Sequence, residues 1–292
     1  MTLRPINPGA EQHLGVRHAV EHVGAITLRD YCGTDAAISR AARVSYGRES
    51  ADRGADADAK LISYLVRHGH TSPLEMAELV FQVEAPIFVA RQWLRHRTAS
   101  VNERSLRYTE PSADAEIMPA EGLGDLCADP DPGASKQGRG APVPGQAAGF
   151  VAINSAAMRS AQSYRALRSA GVSREQARSV LPLATMTSFA WKMDLHNLLH
   201  FLRLRTAPDA QRETRLLAEQ VAAVVADAYP LTWAAWVEHV RDAPRLSASA
   251  WRYIAAALNP EDLLVLLAPL PERERRETMA MIAAAWAAKG GV

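Results

Sequence analysis

Residues 91–108 read RQWLRHRTASVNERSLRY. Five arginines (Arg91, Arg95, Arg97, Arg104, Arg107) stand against one acid, Glu103, in a chain of 292 residues whose formal net charge is only +1. A guanidinium is a fixed cation with a planar fork of donors, matched to phosphate and to planar acceptors. Interleaved with Gln92, Ser100, Asn102 and Ser105, these arginines suit a phosphorylated ligand rich in hydrogen-bonding groups. The competing reading is a solvated charged face. The chain's general use of arginine, with four lysines among 33 basic residues, favours that blander view. The flanking residues argue the other way. Residues 78–84, ELVFQVE, alternate as a strand with Leu79, Phe81 and Val83 on one side. Residues 85–94, APIFVARQWL, then open a helix with Pro86 in its first turn. The arginines therefore leave the end of a largely apolar helix, where charges are partly enclosed.

Outward from this segment, helices dominate. Periodicity predicts helices over 150–169 (ending near Gly171), 192–205, 210–229, 246–258 and 273–289. SREQ at 173–176 has the form of a capping box that opens a short helix. Strand signals are few and mostly N-terminal. Residues 119–147 hold five prolines and six glycines and read as an exposed loop or flap. Hydrophobic residues make up 48% of the chain, enough for a substantial core. There is no run of about 20 uncharged apolar residues, so no membrane span is expected. The N-terminus lacks the apolar core of a signal peptide, which makes the cytoplasm the default location. Near-neutral net charge gives no general argument for nucleic-acid binding. Cys32 and Cys127 have no metal-ligand spacing, and no metal site is expected.

Arg95-His96-Arg97, followed after seven residues by Ser105, resembles the RHR-x7-S signature of the flavin-dependent thymidylate synthase (ThyX) family. The likeness continues in order through ARVS at 42–45, HTSPLE at 70–75, APIFVARQW at 85–93, VLPL at 180–183 and DLHNLLHFLRLR at 194–205. It covers roughly residues 35–240. The fold class is α+β and helix-rich; the resemblance implies an antiparallel sheet flanked by helices, assembled as a homotetramer with sites at subunit interfaces. Residues 1–245 are expected to form the catalytic domain, with 119–147 as its flap and 246–292 as a C-terminal helical extension.

What the resemblance implies is reductive C5-methylation of dUMP to dTMP. The carbon donor is methylenetetrahydrofolate, and electrons come from NADPH through FAD. Ordinary thymidylate synthase activates uracil with a cysteine, but neither Cys32 nor Cys127 has a recognisable base beside it, and a lone cysteine is more often structural. That fits a strategy in which the cofactor carries the hard chemistry while the protein orients and supplies charge. Arg205 aligns with the arginine that contacts the uracil, where a fixed guanidinium stabilises negative charge on the ring; a helix-end arginine is the competing reading. Gln92, Arg95, Glu103, Arg104, Ser105, Leu106, Arg107 and Arg178 align with nucleotide positions, with a plain surface arginine as the alternative for Arg104. Ser105 has no assigned base and reads as a positioning group rather than a nucleophile. Ser45, His70, Ser72, Glu75, Arg95, His96, Arg97, Glu103, Asp194, His196 and His200 align with flavin-contact positions. No glycine-rich dinucleotide fingerprint occurs, so flavin binding of the Rossmann kind is not expected.

The chain departs from the family pattern at Leu106, where Gly or Ala is common, and at TAPDAQ, 206–211, where an Asp and a His are replaced by Ala207 and Asp209. Met186 and Ala190 hold positions that are commonly aromatic. These changes leave open a second reading, the same chemistry on UMP as well as or instead of dUMP, since a 2′-hydroxyl must be either satisfied or excluded. A non-catalytic flavin- or RNA-binding module is a third.

Overall fold

The computed structural model describes residues 5–45, 47, 54–110, 116–131 and 138–289. The chain folds as two compact units, Met1–Arg241 and Asp242–Val292. The first is built on five antiparallel strands: β1 (Arg17–Val20), β2 (Gly24–Cys32), β3 (Glu78–Pro86), β4 (Ser100–Glu103) and β5 (Met186–Asp194). They lie in the order β1-β2-β3-β5-β4. The helices are α1 (Pro8–Glu11), α2 (Asp35–Val44), α3 (Ala55–Arg67), α4 (Ile87–Trp93), α5 (Gln146–Ser169), α6 (Arg174–Ala177), α7 (Leu195–Arg205), α8 (Arg212–Ala228) and α9 (Pro230–Trp236).

The strand expected at 78–84 runs on to Pro86, and Leu79, Phe81 and Val83 are fully buried. Beside it, β5 buries Phe189, Trp191 and Met193 in register with Val83, Phe81 and Leu79. The predicted helix start at 192 is corrected here: residues 192–194 end β5, and the helix begins at Leu195 with the Asp194 carboxylate accepting the Asn197 amide at 2.9 Å. The outward positions of this strand are Met186, Ser188, Ala190 and Lys192, and the strand-poor Ala and Lys among them weaken its signal. Pro86 precedes α4 as its cap rather than standing in its first turn; its extended backbone (ψ 149°) carries β3 into the helix without a turn.

One aromatic cluster joins the elements that carry the candidate site. Trp93 at the end of α4 meets Trp191 of β5 edge-on at 5.2 Å and Phe201 of α7 at 4.5 Å; Trp191 and Phe201 lie 4.8 Å apart. Each such pair contributes about 0.5–1.5 kcal/mol beyond area burial. The cluster fixes where α4 ends, and with it where the arginine segment starts. Leu217, Val221, Val224 and Val225 of α8 bury against the same core.

The predicted exposed flap, 119–147, is only partly so. Ala120 and Gly122 are buried, and a Cβ at Gly122 would lie 2.3 Å from the His22 carbonyl oxygen, so only glycine fits that approach. The amides of Ala128, Gly140 and Val143 bond to Ala141, Ala128 and Leu126 carbonyls at 2.8–3.0 Å, so these described residues pair backbone groups within the segment. The second unit holds α10 (Ala248–Ala257), α11 (Pro260–Leu266) and α12 (Glu272–Lys289). Among its described residues Ala255, Leu263 and Ile282 are buried, and the Trp286 indole donates to the Ala255 carbonyl at 2.7 Å.

Candidate functional site

The end of α4 and the end of α7 converge. The Arg205 guanidinium donates through Nη2 to the Gln92 carbonyl at 3.2 Å, while its Nε is buried without a hydrogen-bond partner. Burial draws the Arg205 pKa down from its ordinary value, yet a guanidinium stays charged at neutral pH. The Gln92 side-chain oxygen accepts the Thr214 hydroxyl from the first turn of α8 at 2.7 Å, which orients the amide.

His96 lies against α7. Its ring meets His200 edge-on at 5.0 Å and Phe201 at 5.6 Å, and its Nε2 is buried without a partner. Burial chiefly, and then the charges of His200 and Arg205, push the His96 pKa below 6.5 toward the neutral imidazole; the Asn197 backbone and Asp194 oppose this more weakly. A half-buried His96 ring beside the exposed His200 ring and a desolvated cation, with unspent nitrogens at His96 and Arg205, suit a planar hydrogen-bonding ligand.

The arginine segment divides unequally. Arg95, Arg97 and Arg107 are exposed; Arg107 lies over the Tyr108 ring at 5.2 Å. Arg104 is tied into the fold. Its guanidinium bonds both Glu116 carboxylate oxygens, at 3.2 and 3.0 Å, and the Met186 carbonyl at 2.8 Å. Its η-nitrogens tie β4 to the segment at 116, while its Nε is buried without a partner. Glu103 accepts the Thr187 hydroxyl at 2.6 Å. Ser105 takes part in a local turn, accepting the Arg107 amide on its hydroxyl at 3.3 Å. Leu106 is half-buried. Arg178 is exposed, its Nε bonded to the Glu175 carbonyl at 3.3 Å.

Of the remaining candidates, His70, Ser72 and Glu75 sit together after α3, with Glu75 accepting the Thr71 hydroxyl at 3.0 Å and His70 edge-on to Tyr64 at 5.5 Å. Ser45 follows α2 and is exposed. Asp194 caps α7, and His196 and His200 follow on that helix. Among the described residues no group of three His, Cys, Asp or Glu side chains could hold a metal ion. Thr187, Thr214, Glu213 and Arg139 were not legible as site neighbours. A threonine in a strand, or an acid in a first helical turn, carries no signal until the fold brings its partner close.

A family model described as thymidylate synthase complementing protein matches residues 27–231. The chain is 39% identical over 285 residues to the flavin-dependent thymidylate synthase of Ehrlichia ruminantium, covering 97% of this chain and 94% of that one. It is 45% identical over 241 residues to the enzyme of the same name from Thermus thermophilus, covering 82% and 84%.

The chain belongs to the flavin-dependent thymidylate synthase family.

Among solved structures, the UMP/dUMP methylase PolB of Streptomyces cacaoi bound with 5-Br dUMP superposes with a TM-score of 0.65 at 33% identity, covering 75% of this chain and 97% of that one. The same methylase bound with 5-Br UMP gives 0.66 at 32% identity, covering 78% and 100%. Membership in the flavin-dependent thymidylate synthase family accounts for a site rich in arginine and histidine with no thiol on the elements that carry Arg205 and Gln92. Cys32 ends β2, and the Cys127 thiol bonds to the Asp125 carbonyl at 3.4 Å. No helix among the described residues is long and apolar enough to cross a membrane.

Proposed function

We propose that this protein converts dUMP to dTMP, using methylenetetrahydrofolate as carbon donor and NADPH as reductant through bound FAD. The observation that carries the reading is Arg205. It is a partly buried cation with one nitrogen held by Gln92 and its Nε unspent, beside a histidine pair on the family's own signature elements.

In this reading the Arg205 guanidinium meets the polar edge of the uracil and favours negative charge on the ring. Gln92, with its side-chain oxygen occupied by Thr214, offers its amide N–H donors in a fixed direction. Arg95, Arg107 and Arg178 supply exposed positive charge for the phosphate, and Glu103, Ser105 and Leu106 shape the same surface. Ser45, His70, Ser72, Glu75, Arg95, His96, Arg97, Asp194, His196 and His200 hold the flavin. When bound, the flavin passes electrons from NADPH to the transferred carbon. Overall, dUMP, methylenetetrahydrofolate, NADPH and a proton give dTMP, tetrahydrofolate and NADP+. His96, biased to its neutral form, accepts or donates a hydrogen bond without bringing a second positive charge beside Arg205.

Arg95, Arg97, Arg107, Arg178 and all of β4 are exposed in one chain. That supports a homotetramer in which neighbouring chains close the sites. NADPH and reduced folate are cytoplasmic metabolites, and in this reading the enzyme works alongside them. The unit from Asp242 onward carries none of these residues and stands outside the reaction as an appendage.

A second reading, that UMP is accepted as well, is favoured by the likeness to the UMP/dUMP methylase and by Asp209. This exposed carboxylate lines a cleft with Gln92 and is an acceptor suited to a sugar hydroxyl. The test is turnover of dUMP and of UMP by the purified protein, with NADPH oxidation followed alongside. Formation of dTMP supports the main reading, and no methylation of either nucleotide would sink it. Undetectable UMP methylation beside active dUMP turnover would remove the second alone.

A further inference from the structure

Beyond Gln92 the site opens into a cleft of about 540 Å³ lined by Arg139, Pro208, Asp209, Gln211 and Arg215. Two of these residues, Arg139 and Gln211, bond an unusual group behind the lining. Glu213, in the first turn of α8, is fully buried. A buried carboxylate persists only when paired. The Glu213 oxygens take Arg139 Nη2 and, at 2.9 Å, the Gln211 amide. Arg139 comes from the proline- and glycine-rich segment, more than 70 positions away in sequence, and its other terminal nitrogen bonds the Leu123 carbonyl. The next residue after Glu213 is Thr214, whose hydroxyl orients Gln92, and the Gln92 carbonyl holds Arg205. Arg139, Glu213, Thr214, Gln92 and Arg205 thus form one continuous run from the loop to the candidate uracil site.

We propose that Arg139 is a positioning residue for the nucleotide: paired to Glu213, it fixes the first turn of α8 and through Thr214 sets the direction of the Gln92 amide, making the cleft a wall of the nucleotide pocket. This rests on the reading that Gln92 and Arg205 hold a uracil nucleotide. Three features favour positioning over mere stability. The Arg139 side chain remains one-third exposed on the cleft, although a purely structural tie would bury it as Glu213 is buried. Its partner adjoins the residue that touches Gln92. The departure of 206–211 from the family pattern lines the same cleft.

The experiment uses the full-length, flavin-loaded protein and measures dUMP affinity by titration calorimetry, with KM and kcat alongside. Arg139→Ala is expected to weaken dUMP binding and raise its KM about tenfold, an effect on binding with kcat held within about twofold. Arg139→Lys should recover part of the loss. Thr214→Val, close in shape but without the hydroxyl, should act in the same direction. The Arg139→Ala/Thr214→Val pair should lose less than the product of the single effects, because both act on Gln92. Should Arg139→Ala fail to fold with Glu213 left charged and buried, Arg139→Ala/Glu213→Gln removes that charge and must show the same weakened binding. Unchanged dUMP affinity in the Arg139 variants, or independent effects in the pair, would overturn the proposal. A wild-type protein that bound no dUMP would overturn the nucleotide reading itself and this proposal with it, an outcome plainly different from normal wild-type binding with silent variants.

Discussion

The Glu103 carboxylate accepts the Thr187 hydroxyl across 2.6 Å, between edge strand β4 and its neighbour β5. This bond joins an exposed acid of the arginine segment to a buried residue of the sheet. It fixes a side chain that would otherwise sample several rotamers, so the acid next to Arg104 and Ser105 is held ready in direction before any ligand arrives. Thr187→Val keeps the branched shape and removes the hydroxyl. It should raise the nucleotide KM about three- to tenfold, the size of one ordinary net hydrogen bond, with little change in melting temperature. Steady-state kinetics with dUMP check this.

Arg205→Ala should lower kcat by about two to three orders of magnitude, the size seen when one preorganised charge-stabilising donor is removed, while the visible flavin spectrum persists. Arg205→Lys should recover only part of the rate, since a lysine is a point charge without the fork that spans Gln92 and a planar ligand. Loss of the flavin spectrum from the alanine variant would mean that the arginine holds the site together rather than serving the reaction.

His96 gives a pH dependence of definite sign. Its folded pKa lies below the unfolded value of 6.5 because burial and the neighbouring His200 and Arg205 disfavour the imidazolium. The unfolded chain then binds more protons than the folded one just below pH 6.5, so stability falls as pH drops through that value and levels off below the folded pKa. His96→Gln should flatten this fall. Melting temperatures between pH 8 and 5 for the two proteins measure it; parallel curves would discard His96 as the source.

Phe201→Ala should destabilise the first unit by about 3–5 kcal/mol, the cost of truncating a fully buried aromatic, because Phe201 packs between Trp93 and Trp191. The loss should also reach function, since α7 carries both His200 and Arg205. Urea denaturation gives the first quantity and dUMP turnover the second.

Much of this was legible in the sequence. The alternation of 78–84 and the order of the arginine, histidine and serine residues pointed to the central strand, the helix after it and the family. What escaped was tertiary. β5 hid behind its outward Ala190 and Lys192, because its strand identity comes from pairing with Phe81 and Val83 rather than from its own preferences. Arg104 looked like any other member of its cluster; only the approach of Glu116 and the Met186 carbonyl separates it. The segment at 119–147 read as exposed because proline and glycine mark turns, yet those turns bury Ala120 and bring Arg139 to Glu213. Such long-range partners leave no periodic trace in a chain.

Trp93 and Trp191 are almost wholly shielded from water, 5.2 Å apart, and neither indole nitrogen has a partner. Trp93 is also the neighbour in sequence of Gln92. The molecule therefore carries its own optical gauge. Two dry indoles emit toward the blue, and an absorbing chromophore lodged beside α4 drains that emission. Light from these two indoles would thus report, without a label, on whether a chromophore has bound beside α4.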